Sequence, residues 1–241
     1  MTNESWYPGN LAVSEIFGPT LQGEGRNIGM SCFFLRFAGC NLKCSWCDTK
    51  YTWDWEHYKK EDEIIKMNAE AIYNRLKDLA KGTGHKIQAL VVTGGEPLLQ
   101  QGMWRQVTEV LIREGWWVEV ETAGTIAPLT GTEYVSQFTV SPKLANSGNI
   151  PAKRYQPQAL NAFMNTGKAV FKFVVTSVQD FEEVHKLVDA HDLSPVYIMP
   201  EGTTAENLQK VTELIVPTVI EKGYNFTPRL QVELWGQKRG V

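Results

Sequence analysis

Six short apolar runs, each ending in a glycine-rich or polar turn, limit the fold of this 241-residue chain more narrowly than any other feature. Cys32–Phe37 ends at Ala38-Gly39-Cys40, Ala89–Val92 at Thr93-Gly94-Gly95-Glu96-Pro97, and Trp117–Val120 at Glu121-Thr-Ala-Gly124. Phe138–Val140 ends at Ser141-Pro142-Lys143, Ala169–Val175 at Thr176, and Val196–Ile198 at Met199-Pro200-Glu201-Gly202. Helical periodicity fills several of the gaps. Ile72, Leu76, Leu79 and Ala80 share one helix face, with Asn68 placed to cap it. Met103, Val107, Val110 and Leu111 repeat the pattern, as do Phe181, Val184 and Val188. Thr203-x-x-Glu206 reads as a capping box ahead of Leu208, Val211 and Ile215, and Pro217 is expected to end or kink that helix. Such alternation predicts an α/β fold with a parallel sheet and right-handed crossovers. Six strands are too few for a closed eight-stranded barrel. A partial, open barrel fits better, with a flat doubly wound sheet as the alternative. Either places ligands at the C-terminal ends of the strands, where the polar turns lie.

Composition sets the outer bounds. Apolar residues make up 43% of the chain, and 24 basic against 27 acidic residues give a net charge of −3. A general nucleic-acid or membrane-surface binder would carry a basic excess. No apolar run approaches the roughly 20 residues of a membrane span. Met1-Thr-Asn-Glu-Ser-Trp6 lacks the basic and apolar parts of a secretory leader, so the chain reads as cytoplasmic. Residues 1–241 are expected to form one domain.

All four cysteines, Cys32, Cys40, Cys44 and Cys47, crowd into sixteen consecutive residues. A disulfide framework would spread them along the chain, and a reducing cytoplasm disfavours it. Cys40-x3-Cys44-x2-Cys47 can bring three thiolates to one metal cluster from a single loop. A fully ligated [4Fe–4S] cluster or structural zinc takes four protein ligands, so three leave one position open. Cys32 stands as the candidate fourth ligand of a zinc or electron-transfer site. Its place inside an apolar strand favours a small buried residue instead.

The cysteine triplet together with the Gly94-Gly95-Glu96-Pro97 turn resembles the radical S-adenosylmethionine superfamily. That resemblance implies a (β/α)6-type barrel, open and partial, in truncated or modified form. It also implies a [4Fe–4S] cluster on Cys40, Cys44 and Cys47, whose open iron is chelated by S-adenosylmethionine. One-electron reduction by an external donor then yields methionine and a 5′-deoxyadenosyl radical. Three further segments narrow the resemblance. They are Glu15-Ile-Phe-Gly-Pro-Thr-Leu-Gln-Gly-Glu-Gly25, Asp48-Thr49, and Leu234-Trp-Gly-Gln-Lys-Arg-Gly-Val241. With them the chain is similar to the 7-carboxy-7-deazaguanine synthases, least clearly from about Asn146 to Thr166. That family contracts the ring of 6-carboxy-5,6,7,8-tetrahydropterin with loss of ammonia, uses Mg2+, and is dimeric.

The resemblance implies roles residue by residue. Thr49 would give its hydroxyl to Mg2+, a hard ion that keeps most of its waters. Leu21, Gln22, Gly23 and Glu24 would form the substrate turn, with the Glu24 carboxylate facing the adjacent N–H donors of a pterin. Arg36, a charge inside an apolar strand, would hold a substrate carboxylate, and its alternative is an internal ion pair. Thr93 and the Val241 carboxylate would also touch substrate. Trp46, Cys47, Asp48, Gly95, Ser141, Pro142 and Lys143 would surround S-adenosylmethionine, as would Met199, Pro200, Glu201 and Gly202. Glu121 would hold a ligand ammonium or serve structure. Many members carry Gln-x-His in the last strand where this chain has Gln231-Val-Glu233, so Glu233 either substitutes or the contact is lost. Lys238 and Arg239 read as solvated, and residues 228–241 as a tail that closes the site. No general acid or base stands out. The alternatives are a glycyl-radical-enzyme activase, which shares the triplet and turn, and a zinc or electron-transfer protein that uses Cys32.

Overall fold

The computed structural model describes Trp6 and residues 8–241. Met1–Ser5, most of the run read above for a leader, lies outside the described residues. The strands are β1 (Leu11–Leu21), β2 (Ser31–Phe37), β3 (Ile65–Met67), β4 (Ala89–Gly94), β5 (Trp117–Thr122), β6 (Gln137–Val140), β7 (Ala169–Val175), β8 (Val196–Pro200) and β9 (Asn225–Phe226). The six anticipated runs are β2 and β4–β8, and they lie parallel, side by side. β1 and β3 add to one edge antiparallel, and β9 adds to the other in parallel. Among the described residues this makes one nine-stranded sheet in the order β3-β1-β2-β4-β5-β6-β7-β8-β9, with two free edges. β1 left no clean alternation in sequence because its register shifts between Val13 and Glu15 and between Phe17 and Thr20.

Eight helices are described: the single turn α1 (Lys60–Glu63), α2 (Ala69–Gly82), α3 (Gln101–Arg113), the single turn α4 (Pro151–Arg154), α5 (Pro157–Asn165), α6 (Asp180–His191), α7 (Ala205–Glu221) and α8 (Leu230–Trp235). Asn68 caps α2 as expected, its side chain accepting from Ala71 N at 2.8 Å. Two expectations about α7 are corrected. Its cap is Thr204 rather than Thr203, because Thr204 has extended backbone and accepts from Asn207 N, while Glu206 pairs with Lys210 one turn on. Pro217 does not end α7, which continues to Glu221. A proline removes only its own N–H, and the buried Ile215 and Val219 hold the helix to the sheet on either side of it.

The helices cover one face of the sheet. Phe33, Leu35 and Phe37 of β2, Val118 and Val120 of β5, and Phe171, Phe173 and Val175 of β7 share one core with the buried residues of α2, α3, α5, α6 and α7. Each such large side chain contributes about 1.5–3 kcal/mol of burial free energy. The alternate residues face the other way, and many are polar: Arg36, Thr93, Glu119, Glu121, Thr139 and Lys172. A doubly wound sheet would bury both faces under helices. One covered face and one polar face correspond to the partial, open barrel.

The Gly94-Gly95 turn fastens β4 to the chain beyond β2. Gly95 N donates to Phe37 O at 3.0 Å and Glu96 N to Gly39 O at 2.8 Å. Gly94 has φ 151°, and an added Cβ would run into the Phe37 backbone. Gly94→Ala is therefore expected to cost about 2 kcal/mol or more, lowering Tm by about 6 °C. An unchanged thermal denaturation curve would show that the two segments separate easily.

Candidate active site

The loop after β2 carries Cys40, Cys44 and Cys47 over the C-terminal end of the sheet, and all three are free thiols. They pack with Leu42, Trp46 and Ala123 in a small cluster of their own. Each sulfur accepts one N–H: Leu42 N to Cys40 Sγ at 3.4 Å, Asn149 Nδ2 to Cys44 Sγ at 3.3 Å, and Trp53 Nε1 to Cys47 Sγ at 3.3 Å. Burial pushes the Cys40 thiol up to about 12 and also raises Cys44, where nearby Lys143 opposes it. Such thiols ionise when a metal displaces the proton. Among the described residues no three His, Cys, Asp or Glu side chains close on a single metal ion. Cys32 lies apart, buried with Phe34, Ala89 and Val91, so it is not arranged as a fourth ligand. Three sulfurs, each met by a hydrogen-bond donor and opening on one cavity, fit an iron–sulfur cluster rather than a mononuclear zinc site.

That cavity, of about 160 Å³, is lined by the three cysteines together with Trp46, Asp48, Gly95, Ser141, Lys143, Met199 and Glu201. Lys143 Nζ donates to Ser141 O and Oγ at 3.0 and 2.9 Å and lies 5.7 Å from the Trp46 ring centroid. Burial lowers the Lys143 ammonium below its ordinary range. Pro142, Pro200 and Gly202 are buried and stay outside this lining; the Gly202 carbonyl accepts from Arg229 Nη1 at 2.7 Å. Glu96 is fully buried and accepts from Thr122 Oγ1 and Ala123 N, both at 2.8 Å. It thus ties the β4 turn to the end of β5.

A second cavity, of about 270 Å³, adjoins the first. Leu21, Gln22, Gly23, Glu24, Arg36, Thr93 and Val241 all line it. Glu24, Asp48, Thr49, Thr93, Gly94, Glu121 and Arg229 line both cavities and form the wall between them. Thr49 precedes a short turn, and its Oγ1 lies 3.6 Å from Cys47 Sγ.

Glu24 is the hub of the common wall. It pairs with Lys172, accepts from Arg229 Nε at 3.1 Å, and accepts from Gln231 Nε2 at 2.6 Å. Arg229 also pairs with Asp48 beside the last cysteine. Burial alone would raise the Glu24 carboxyl, but Lys172 and Arg229 overcome it and hold the group well below the usual carboxylate range. Gln231 is tied to Glu24 through Nε2, and its Oε1 is buried with no hydrogen-bond partner. It lies in α8, not in a strand, and Glu233 is exposed and outside the cavity.

Arg36 takes the internal-pair arrangement: Nε donates to Glu15 Oε1 at 2.6 Å while the side chain lines the larger cavity. Tyr51 Oη donates to the same Glu15 oxygen at 2.8 Å. Arg239, expected to be solvated, instead holds down the tail. It bonds Glu15 Oε2 at 3.1 Å and Glu63 Oε2 at 2.7 Å, with its guanidinium 3.8 Å from the Tyr51 ring centroid. Residues 236–241 consequently form part of the cavity wall.

Several participants escaped the sequence reading. Lys172 and Glu119 each interrupt an apolar strand, the signal that singled out Arg36, and were open to the same inference. Glu119 accepts from Thr139 Oγ1 at 2.6 Å and Asn27 Nδ2 at 2.8 Å. Burial and the nearby Glu121 push it up to about 7. Gln22 Nε2 reaches both of these carboxylates, at 3.2 Å to Glu119 and 3.0 Å to Glu121. Arg229, Asn146 and Asn149 carried no signal in sequence, since nothing around them indicates partners so far away along the chain.

Three thiols set over the C-terminal ends of an open, mostly parallel sheet define a radical S-adenosylmethionine protein, and the Radical SAM superfamily profile matches residues 35–215. The 7-carboxy-7-deazaguanine synthase of Pyrobaculum aerophilum is 36% identical over 234 residues, covering 95% of this chain and 97% of that protein. The Bacillus subtilis 7-carboxy-7-deazaguanine synthase is 30% identical, covering 96% and 98%. The crystal structure of QueE from Escherichia coli superposes with a TM-score of 0.68 at 25% identity, covering 92% and 94%. This chain belongs to the 7-carboxy-7-deazaguanine synthase family.

Replacing Glu24 by Gln removes the carboxylate that pairs with both Lys172 and Arg229 in the wall, with an expected loss of about 3 kcal/mol near neutral pH. The Glu24 contribution is fully present above its unfolded value of about 4.3 and is lost as pH falls toward the lower folded value. The Tm gap between wild type and variant should therefore narrow as pH falls below about 4.3. A gap independent of pH would contradict the ionised pairing.

Proposed function

We propose that the chain converts 6-carboxy-5,6,7,8-tetrahydropterin to 7-carboxy-7-deazaguanine with loss of ammonia, a step of queuosine and deazapurine biosynthesis. The observation that carries this reading is the gathering of Leu21, Gln22, Gly23, Glu24, Arg36, Thr93 and Val241 around one cavity that adjoins the cysteine chamber. Glu24 gives that cavity a carboxylate acceptor, and a pterin edge brings adjacent N–H donors. Gly23 leaves room for the Gln231 amide that holds Glu24, since an added Cβ there would strike it.

Cys40, Cys44 and Cys47 would hold the [4Fe–4S] cluster, and the smaller cavity would receive S-adenosylmethionine. When bound, these groups would supply one-electron reductive chemistry, driven by an external reductant, to start the reaction of the pterin. The chain's own part is to bind, orient and exclude water. Lys143, Ser141, Gly95, Trp46, Asp48, Met199 and Glu201 line the cofactor side. Leu21, Gln22, Gly23, Glu24, Arg36 and Thr93 line the pterin side, with Val241 closing it. The guanidinium of Arg36 lies where it can trade part of its Glu15 pairing for a substrate carboxylate. Thr49 offers one neutral hydroxyl in the common wall, suited to a Mg2+ ion whose remaining ligands are water and substrate. Residues 1–241 act as one domain with the 228–241 tail as its cover, in the cytoplasm and as a homodimer. The four free thiols accord with a reducing compartment.

Anaerobic reconstitution with iron and sulfide, then incubation with S-adenosylmethionine, reductant, Mg2+ and the pterin, tests the reading. The expected outcome is 5′-deoxyadenosine together with the deazaguanine product. Formation of 5′-deoxyadenosine without that product would reject the substrate, and failure to assemble a cluster would reject the class of chemistry. Thr49→Ala should weaken the dependence of the rate on Mg2+, and an unchanged Mg2+ titration would remove Thr49 from the metal site.

A further inference from the structure

Two side chains outside the cysteine motif direct N–H groups at two of the three sulfurs: Asn149 at Cys44 and Trp53 at Cys47. Both are fixed by contacts of their own. Asn149 Oδ1 accepts from Lys43 N at 2.9 Å, and the Asn149 carbonyl accepts from Arg154 Nε at 3.1 Å. Arg154 is itself buried, donating to Lys143 O at 2.9 Å and pairing with Glu183. Two residues before Asn149, Ser147 O accepts from Ser45 N at 3.0 Å. Residues 145–154 therefore grip the chain on both sides of Cys44. Trp53 is held separately, its backbone N donating to Lys50 O at 3.0 Å in the turn that follows Thr49.

An N–H directed at a cluster sulfur draws electron density from it. That favours the reduced, more negative state of the cluster over the oxidised one, and more so where water is excluded. The third contact, Leu42 N to Cys40 Sγ, is backbone and survives any substitution of the Leu42 side chain except proline. The other two depend on side-chain identity and can be removed singly. We propose that Asn149 and Trp53 are positioning residues that raise the reduction potential of the cluster by hydrogen bonding to Cys44 and Cys47, easing entry of the electron that starts the reaction. The step is the uptake of one electron from a low-potential donor by the oxidised [4Fe–4S]2+ cluster, giving [4Fe–4S]1+, with no bond made or broken in the protein. The inference rests on the reading of Cys40, Cys44 and Cys47 as cluster ligands.

The test uses the full chain, reconstituted anaerobically, as wild type, Trp53→Phe, Asn149→Leu and the double variant. Iron and sulfide are assayed first. The [4Fe–4S]2+/1+ midpoint is then measured by dithionite titration followed by electron paramagnetic resonance, without S-adenosylmethionine. The expected result is full iron content, a midpoint shifted to more negative potential in each single variant, and a larger shift in the double variant. Uncoupled cleavage of S-adenosylmethionine by a fixed weak reductant should slow in the same order. Trp53→Phe keeps the ring and lies outside the 145–154 brace, so it carries the test alone if Asn149→Leu loses iron. Variants with full clusters and the wild-type midpoint would overturn the inference and leave the functional reading intact. So would a Trp53→Phe protein that cannot hold iron, because the contact would then be one of assembly. A wild-type chain that forms no [4Fe–4S] centre would overturn both.

Discussion

The carboxylate of Glu24 is the contact on which the site depends. It gathers a strand residue, Lys172 of β7, a residue just before α8, Arg229, and through Arg229 the Asp48 side chain next to the last cysteine. The turn after β1, the middle of the sheet, the start of the tail and the cysteine loop are thereby held by one set of charges. Glu24, Lys172 and Arg229 would each be expensive to bury alone and are tolerable because their partners are in place. Most of the wall between the two cavities consists of these residues and their neighbours, so the spacing between the cavities is fixed where the network is tightest.

Much of the fold could be read before the structure. The six parallel strands were visible because burial of one whole face gives β2 and β4–β8 short, strongly apolar runs with sharp ends. β1 was not, because its bulges break the alternation, and β3 and β9 are too short to carry a pattern. The cysteine loop and the turns at strand ends were legible because spacing within a loop is local information. The charge network was legible only in part. Lys172 and Glu119 stand out among apolar neighbours much as Arg36 does, whereas Arg229 sits in an ordinary polar stretch and gains its meaning from partners 205 and 181 residues away. The cap expected at Thr203 and the helix end expected as one of two outcomes at Pro217 share one origin. Local propensity was read without the tertiary packing that decides among nearly equal local choices.

The two faces of the sheet divide the work of the molecule. On one, alternate residues of every central strand join the helices in a single apolar core. On the other, the same strands present acids, bases and hydroxyls to the cavities, and the strand period of two keeps the two populations from mixing. The residues between these layers, such as Gly94 and Glu96, join strand to turn and turn to strand, so a change made for packing reasons there reaches the cysteine loop directly.

The end of the tail is fastened by a different kind of bond from its start. Arg239 is 41% exposed and reaches Glu15 and Glu63 from the surface, whereas Lys172 and Arg229 meet Glu24 almost out of contact with water. Dissolved ions screen the first kind of pairing within about a nanometre at modest concentration and scarcely touch the second. Ionic strength thus acts selectively on this chain: rising salt weakens the Arg239 pairs at the surface while the Glu24 network beneath keeps its geometry.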